Sequence, residues 1–176
     1  MRSSVGANFT ADIGLEPLLA GYRARAAVST DAFGIRAVEL RAIRLVAGRH
    51  YRPLIVRSWV AGLSLEHYEA AILSGAAFDV ALDLSGHIVA FSHCGSSSLE
   101  GVFVEPQLMG KGLGSAMLAR AERSLLGQGV ARVEVEVPLG AISFFSHRGY
   151  RTIAIRERPS NGGFLMLMAR MSRELG

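Results

Sequence analysis

The order of sequence patterns predicts a mixed α/β (α+β) domain. Helical periodicity runs from Asp31 past Ser64, an alternating meander spans Phe78 to Val104, and strand–helix–strand–helix–strand patterning follows. A meander feeding such units points to a mixed, mostly antiparallel central sheet flanked by helices, not to a purely parallel one. The 176 residues have the size of one domain with a substantial core. Half are hydrophobic and only 19% are charged, which excludes a disordered or coiled-coil chain.

Residues 1–21 show no sustained periodicity and read as a tail or arm, with Ile13, Leu15, Leu18 and Leu19 able to dock on a body formed by residues 22–176. Tyr22 to Ser29 reads as a first strand, with Tyr22, Ala24, Ala26 and Val28 alternating against Arg23 and Arg25. Thr30 or Asp31 can cap a helix that runs through Val38, Ile43 and Val46 to Gly48. A second helix starts at Pro53, where the missing N–H costs nothing. A third starts at Ser64, an N-cap whose capping box is incomplete because His67 stands where Glu or Gln belongs.

The meander then reads Phe78 to Leu84, a Ser85-Gly86 turn, Ile88 to Ser92, a Gly95-Ser96-Ser97 turn, and Ser98 to Val104. Leu113, Met117, Ala121 and Leu125 mark the next helix, which ends near Gln128-Gly129. Val133, Val135 and Val137 alternate with Arg132, Glu134 and Glu136 in the cleanest strand pattern of the chain. Gly140 to Arg148 suits a short helix closed by Gly149. Two final strands, Tyr150 to Arg156 and Phe164 to Met171, flank the turn 159–163.

Composition narrows the setting. The net charge of +4 is compatible with anionic ligands but too small to argue for nucleic acid. No apolar run approaches the roughly 20 residues of a membrane span, and the N-terminus lacks the apolar core of a signal peptide. Cys94 is the only cysteine, so neither an internal disulfide nor a cysteine-clustered metal site is expected. A soluble, cytoplasmic protein with no metal is the default expectation.

The chemistry concentrates between Val104 and Ser115. A strand ends at Val104-Glu105-Pro106, Met109-Gly110-Lys111-Gly112-Leu113-Gly114 follows, and a helix begins. Glycines permit close backbone approach, and the free N–H groups of a helix start complement a phosphate. A P-loop would need Gly-Lys-Ser/Thr, but Gly110-Lys111 runs into Gly112, and the residue five before Gly110 is Glu105. A dinucleotide turn would need Gly-x-Gly-x-x-Gly, and neither glycine register supplies the third glycine.

This stretch resembles the acyl-CoA loop of the GNAT superfamily of N-acyltransferases, whose pattern is Val-x-Pro and then Gln/Arg-x-x-Gly-x-Gly/Ala at a helix start. Ala141-Ile142-Ser143-Phe144-Phe145-Ser146-His147-Arg148-Gly149-Tyr150 is similar to the same family's second signature, Ala-x-x-Phe-Tyr-x-x-x-Gly-Phe. The likeness covers about Tyr22 to Met171.

The resemblance implies an acetyl-CoA-dependent N-acetyltransferase that moves an acetyl group to a primary amine in a ternary complex. It implies that the backbone of Val102, Phe103 and Val104 binds the pantetheine arm. It implies that the backbone N–H groups of Gly110, Lys111, Gly112, Leu113, Gly114 and Ser115 hold the pyrophosphate, with Met109 and Phe145 also among the coenzyme-binding residues. Met109 stands where the family has Gln or Arg, and Phe145 where many members have the tyrosine that protonates the leaving thiolate. Ser146 and His147 are the nearest replacement acids. The family's usual basic glutamate is Ser98 here, with Glu100 two residues along on the same face unless a bulge breaks the alternation. Glu100 and Ser98 are therefore the catalytic candidates, with His93 a third. Pro138 and Gly140 occupy the family's asparagine-type positions.

Six arginines between Asp31 and Val60 (Arg36, Arg41, Arg44, Arg49, Arg52 and Arg57) read either as a cationic acceptor rim or as a solvated helix face. Trp59 and Tyr51 are candidates for the acceptor pocket wall. A coenzyme-binding module without catalysis, and acetylation of a macromolecule such as tRNA or a protein N-terminus, are the competing functions. The terminal strands could also pair two copies of the chain as a homodimer.

Overall fold

The computed structural model describes residues 14–176. Its elements in chain order are β1 (Glu16–Leu19), β2 (Tyr22–Ala26), α1 (Ala32–Ala47), α2 (Pro53–Ala61), α3 (Leu65–Leu73), β3 (Ala77–Leu82), β4 (Ile88–Cys94) and β5 (Ser98–Val104). These are followed by α4 (Leu113–Gly127), β6 (Arg132–Pro138), α5 (Ile142–Ser146), β7 (Arg151–Pro159) and β8 (Leu165–Glu174). Short 3-10 turns precede α1, α4 and α5. The strands form one sheet in the order β1-β2-β3-β4-β5-β6-β8-β7. β5 and β6, joined by the crossover helix α4, are parallel, and every other neighbouring pair is antiparallel. The sheet is mixed and mostly antiparallel, as the sequence predicts.

Successive residues of a strand point to opposite faces, and the two faces carry different helices. Val80 and Phe91 pack with Ile35, Val38 and Ile43 of α1, whereas Ala81 and Ala90 pack with Leu113 and Met117 of α4. A further cluster joins Leu118, Ala121 and Leu125 of α4 to Val133, Val135 and Val137 of β6 and to Phe145. Burial of these side chains stabilises the domain by roughly 25 cal/mol per Å² of apolar surface removed from water.

Several boundaries differ from expectation for local reasons. Part of the expected arm is sheet: β1 pairs with β2, Leu18 joins the α4-side core, and Glu16 accepts from Arg120 at 2.8 Å. Ile13 and the residues before it lie outside the described ones. β2 stops at Ala26 because a 3-10 turn occupies Ser29–Asp31. Arg25, expected on an exposed face, is buried in an ion pair with Asp31, whose carboxylate also accepts from the Val28 N–H at 2.8 Å. Leu84 is 86% exposed because Asp83 Oδ1 accepts from the N–H groups of Ser85 and His87, starting the turn two residues earlier than expected. Ser64 does cap α3, its hydroxyl accepting from the His67 N–H at 3.1 Å. Among the described residues no helix is long and apolar enough to cross a membrane.

Candidate functional site

β5 and β6 pair only at Ser98 with Glu134 and Leu99 with Val135, and among the described residues the ladder ends there. Beyond it the two strands part, leaving the β6-facing backbone edge of Gly101 to Val104 without a strand partner. A cavity of about 700 Å³ occupies the split, walled by Glu100 to Val104 on one side and Val135 to Pro138 on the other. Ala42, Ile43 and Val46 of α1 and Trp59 of α2 close one face. Gly110, Gly112, Gly114 and Ser115 lie at the other, with Phe144, Phe145 and Arg148.

The glycine loop has the backbone that an anion cradle needs. Gly110 and Gly112 sit at φ +78° and +87°, a region that favours glycine, and Gly112 is the N-cap of the 15-residue α4 with no side chain capping it. The N–H groups of the first turn therefore remain available at the positive end of the helix dipole. Gly114 lets Phe144 pack closely, since a Cβ there would press on its ring at 3.2 Å. Met109 lines the cavity with its flexible thioether chain partly exposed. The Leu113 side chain is core, so only its backbone can serve a ligand, and Lys111 is solvent-exposed and not among the lining residues.

Arg148, to which the sequence assigns no role, reaches this loop from the end of α5. Its guanidinium donates to Ser115 Oγ and, at 2.9 Å, to the Phe144 carbonyl, and it stacks 3.9 Å over the Phe144 ring. Its Nε is buried with no hydrogen-bond partner among the described residues. A fixed cation lining the cavity beside free helix N–H groups suits a phosphate. Four-residue helical spacing from Phe144, in the signature already singled out, was the sequence signal for it.

Strand β5 carries the bulge that would scramble parity. Cys94 pairs with Leu99 and His93 with Gly101, so Glu100 is the extra residue. Leu99 packs with the α4-side core, and so do Val102 and Val104; the parity breaks only after Glu100. Ser98 and Glu100 consequently stay together, Ser98 Oγ donating to Glu100 Oε1 at 2.5 Å. Glu100 lines the cavity and Ser98 supports it from just outside. His93 stacks on Phe78 at 3.9 Å instead of lining the cavity. Burial lowers its pKa against the opposing pull of the Glu100 carboxylate, with His67 lowering it further.

The replacement acids are not in the site. Ser146 and His147 are exposed and absent from the lining, and His147 Nδ1 lies 2.7 Å from the Ser143 carbonyl on its own helix. Phe145 is buried edge-on against Tyr150, and the Tyr150 hydroxyl turns away to donate to Glu122 at 2.9 Å. Cys94 is buried, and desolvation, with the Asp79 and Glu100 charges adding, pushes its thiol up to about 11. It is protonated at neutral pH, which leaves it a poor nucleophile.

The arginine rim dissolves into separate roles. Arg41 makes a bidentate pair with buried Glu105, tying α1 to the end of β5, and Arg36 donates to the Leu63 carbonyl at 2.5 Å. Arg44, Arg49, Arg52 and Arg57 are exposed, and none of the six lines the cavity. Trp59 does line it, but Tyr51 does not. Tyr51 packs edge-on against Trp59, donates to the Leu167 carbonyl at 2.5 Å and accepts from the Leu139 N–H at 3.0 Å, bracing the far end of the split. The family's asparagine position is closed off: a Cβ on Gly140 would come within 2.5 Å of the His50 ring.

What charges the α1 side of the cavity is acid. Glu39, on the stripe that also carries Ile35 and Ile43, lines it and accepts from the Tyr68 hydroxyl at 2.6 Å. Burial pushes its carboxyl up to about 7, the Tyr68 hydrogen bond opposing. An acid in the middle of an apolar helical stripe was the signal that the charge count over this segment hid. Glu136 lines the cavity as well. Burial alone would raise its carboxyl, but hydrogen bonds from Arg156 and Arg158 outweigh this and hold it below its usual value.

A sheet split between two parallel strands, with a glycine loop of left-handed backbone at the start of the crossover helix, has the shape and the free N–H groups to suit an extended, phosphate-bearing ligand. The acetyltransferase (GNAT) domain model matches residues 48–172, and the chain belongs to that family. No curated protein sequence matches it significantly. Among solved structures it is similar to a GCN5-related N-acetyltransferase from Rhodopseudomonas palustris, at TM-score 0.79 and 24% identity, covering 86% of this chain and 94% of that one. It is also similar to the paia N-acetyltransferase from Thermoplasma acidophilum in complex with coenzyme A, at TM-score 0.67 and 15% identity, covering 88% and 99%. A GNAT phosphinothricin acetyltransferase from Sinorhizobium meliloti in complex with AcCoA matches at TM-score 0.63 and 18% identity, covering 89% of each chain. At these identities the likeness is one of fold.

Proposed function

We propose that the protein is an N-acetyltransferase that moves the acetyl group of acetyl-CoA to a primary amine by direct transfer in a ternary complex. The observation that carries this reading is the strand split, because it joins an unpaired backbone edge at Val102, Phe103 and Val104 to the free N–H groups at the start of α4. The pantetheine amides pair with that edge as a surrogate strand. The pyrophosphate rests on the backbone from Gly110 to Ser115, with Arg148 beside it. Acetyl-CoA is the co-substrate, and no metal takes part in this proposal.

An ammonium acceptor gives a proton to Glu100, which Ser98 holds in place. The amine lone pair forms the C–N bond at the thioester carbonyl, the C–S bond breaks, and the thiolate takes its proton as the amide nitrogen loses one. Phe145 offers no acid for that last step, so protonation comes from solvent, and turnover is slower by about 10²–10⁴ than with a placed acid. The protonated Cys94 argues against a covalent acyl-enzyme.

The test is release of thiol from acetyl-CoA with a panel of primary amines, alongside the shift in melting temperature caused by acetyl-CoA. Thiol release that depends on the amine is the expected result. A melting shift without thiol release from any amine would leave a coenzyme-binding module in place of an enzyme. The absence of both would remove the reading altogether.

A further inference from the structure

Two carboxyl groups on the cavity wall have different surroundings from the third. Glu136 is matched by Arg156 and Arg158. Among the described residues neither Glu39 nor Glu100 forms an ion pair with an arginine or lysine; Glu39 has the Tyr68 hydroxyl and Glu100 has the Ser98 hydroxyl. Among the described residues the single arginine lining the cavity, Arg148, sits beside Ser115 at the start of α4. Charge is therefore segregated along one cavity: a cation and helix N–H groups at the α4 start, and on the α1 and β5 walls carboxyls that have no arginine or lysine ion pair among the described residues.

Glu39 is also placed as no solvated surface acid would be. It projects from α1 among Ile35, Val38 and Ile43, and aliphatic Ala42, Ile43 and Val46 with the Trp59 ring form the adjoining wall. A half-buried carboxyl in apolar surroundings, hydrogen-bonded to a neutral hydroxyl, is costly to ionise until a cation arrives. The proton balance near neutrality, with Tyr68 from α3 the hydrogen-bonding group and Arg36 close to Tyr68, leaves Glu39 ready to ionise when a cation binds.

We propose that Glu39 is a specificity-determining residue that holds the second cationic nitrogen of a diamine acceptor while Glu100 receives the first. This rests on the acetyltransferase reading above and deepens it to a substrate class: an alkyl chain with an amino group at each end, its methylenes against Ala42, Ile43, Val46 and Trp59. Glu39 takes no part in bond making. As the cation docks, the carboxyl releases its proton to solvent and pairs as the carboxylate.

The experiment compares 1,4-diaminobutane with n-butylamine, and 1,3-diaminopropane and 1,6-diaminohexane test the span. Wild type, Glu39→Gln and Tyr68→Phe are assayed with saturating acetyl-CoA. Glutamine still accepts from the Tyr68 hydroxyl, so the fold contact survives while the charge is lost. The wild type prefers one of the diamines to n-butylamine by about 10–100-fold in kcat/KM, expressed in KM, as expected for one charge-assisted contact. In Glu39→Gln the ratio of diamine to monoamine falls to near one, whereas Tyr68→Phe, which keeps the carboxyl, retains the preference. Equal use of all the amines by wild type, or a preference that survives Glu39→Gln, overturns the proposal.

A turnover-independent arm titrates 1,4-diaminobutane into CoA-saturated protein by calorimetry in two buffers of different ionisation enthalpy. Binding with proton release at pH 7 in wild type, lost in Glu39→Gln, supports the proposal; no binding to wild type overturns it. Failure of acetyl-CoA itself to bind would instead overturn the acetyltransferase reading.

Discussion

Replacing Arg148 with alanine tests how the phosphate end of the cavity is built. The substitution removes a guanidinium stacked 3.9 Å over Phe144 and hydrogen-bonded to Ser115 Oγ and the Phe144 carbonyl. Arg148 lines the cavity, so the N–H groups that its terminal nitrogens keep beyond these two bonds can reach a ligand there. One hydrogen bond from a charged donor is worth about 1.5–3 kcal/mol, which is about 10–150-fold in Kd. The cation–π contact contributes about 0.5–2 kcal/mol to the free protein, so the melting temperature should also fall by a few degrees. Calorimetric titration with CoA and with acetyl-pantetheine, which lacks the pyrophosphate and nucleotide, separates the two effects. CoA should weaken by the factor above while acetyl-pantetheine is unchanged. Added salt should weaken CoA binding more in wild type than in the variant. An unchanged CoA affinity, or an equal loss for both ligands, would refute the assignment of Arg148 to the phosphates.

The remaining predictions follow from packing and protonation. Phe145→Tyr should raise kcat by about 10²–10⁴ if its hydroxyl enters the cavity as an acid. No change in kcat with acetyl-CoA affinity intact would show that thiolate protonation does not limit turnover. Gly140→Asn, which restores the family's side chain, should destabilise the protein by about 1–3 kcal/mol because its Cβ meets the His50 ring within 2.5 Å, and thermal unfolding reads this directly. The double variant with His50→Ala should recover most of the loss. Cys94→Ala should keep amine-dependent thiol release, because a thiol raised to about 11 by burial is protonated throughout the neutral range. Abolished transfer by a folded Cys94→Ala protein would revive a covalent route.

Much of the domain is legible in one dimension because its signals are local. Period-two alternation over 132–137 and 3.6-residue periodicity through Leu113, Met117, Ala121 and Leu125 report which faces must be buried. Gly110 and Gly112 report a left-handed backbone, and Ser64 and Gly149 report helix ends, each through a preference of the residue itself. These signals suffice for the mixed sheet, the glycine cradle and the strand that precedes it.

The tertiary structure decided what depends on distant partners. Whether Arg41 faces an acceptor or clamps the end of β5 turns on buried Glu105, and Arg25 is inside because Asp31 is there to meet it. Glu39 looks like a counter-charge among arginines until α3 brings the Tyr68 hydroxyl against it and the split sheet opens beside it. Arg148 acquires its position at the phosphate cradle only when α5 packs against the start of α4. Electrostatic roles follow from burial and from partners as far as 104 residues away in the chain, so periodicity cannot report them. The backbone half of the site is written in the sequence; the charged half is assembled by the fold.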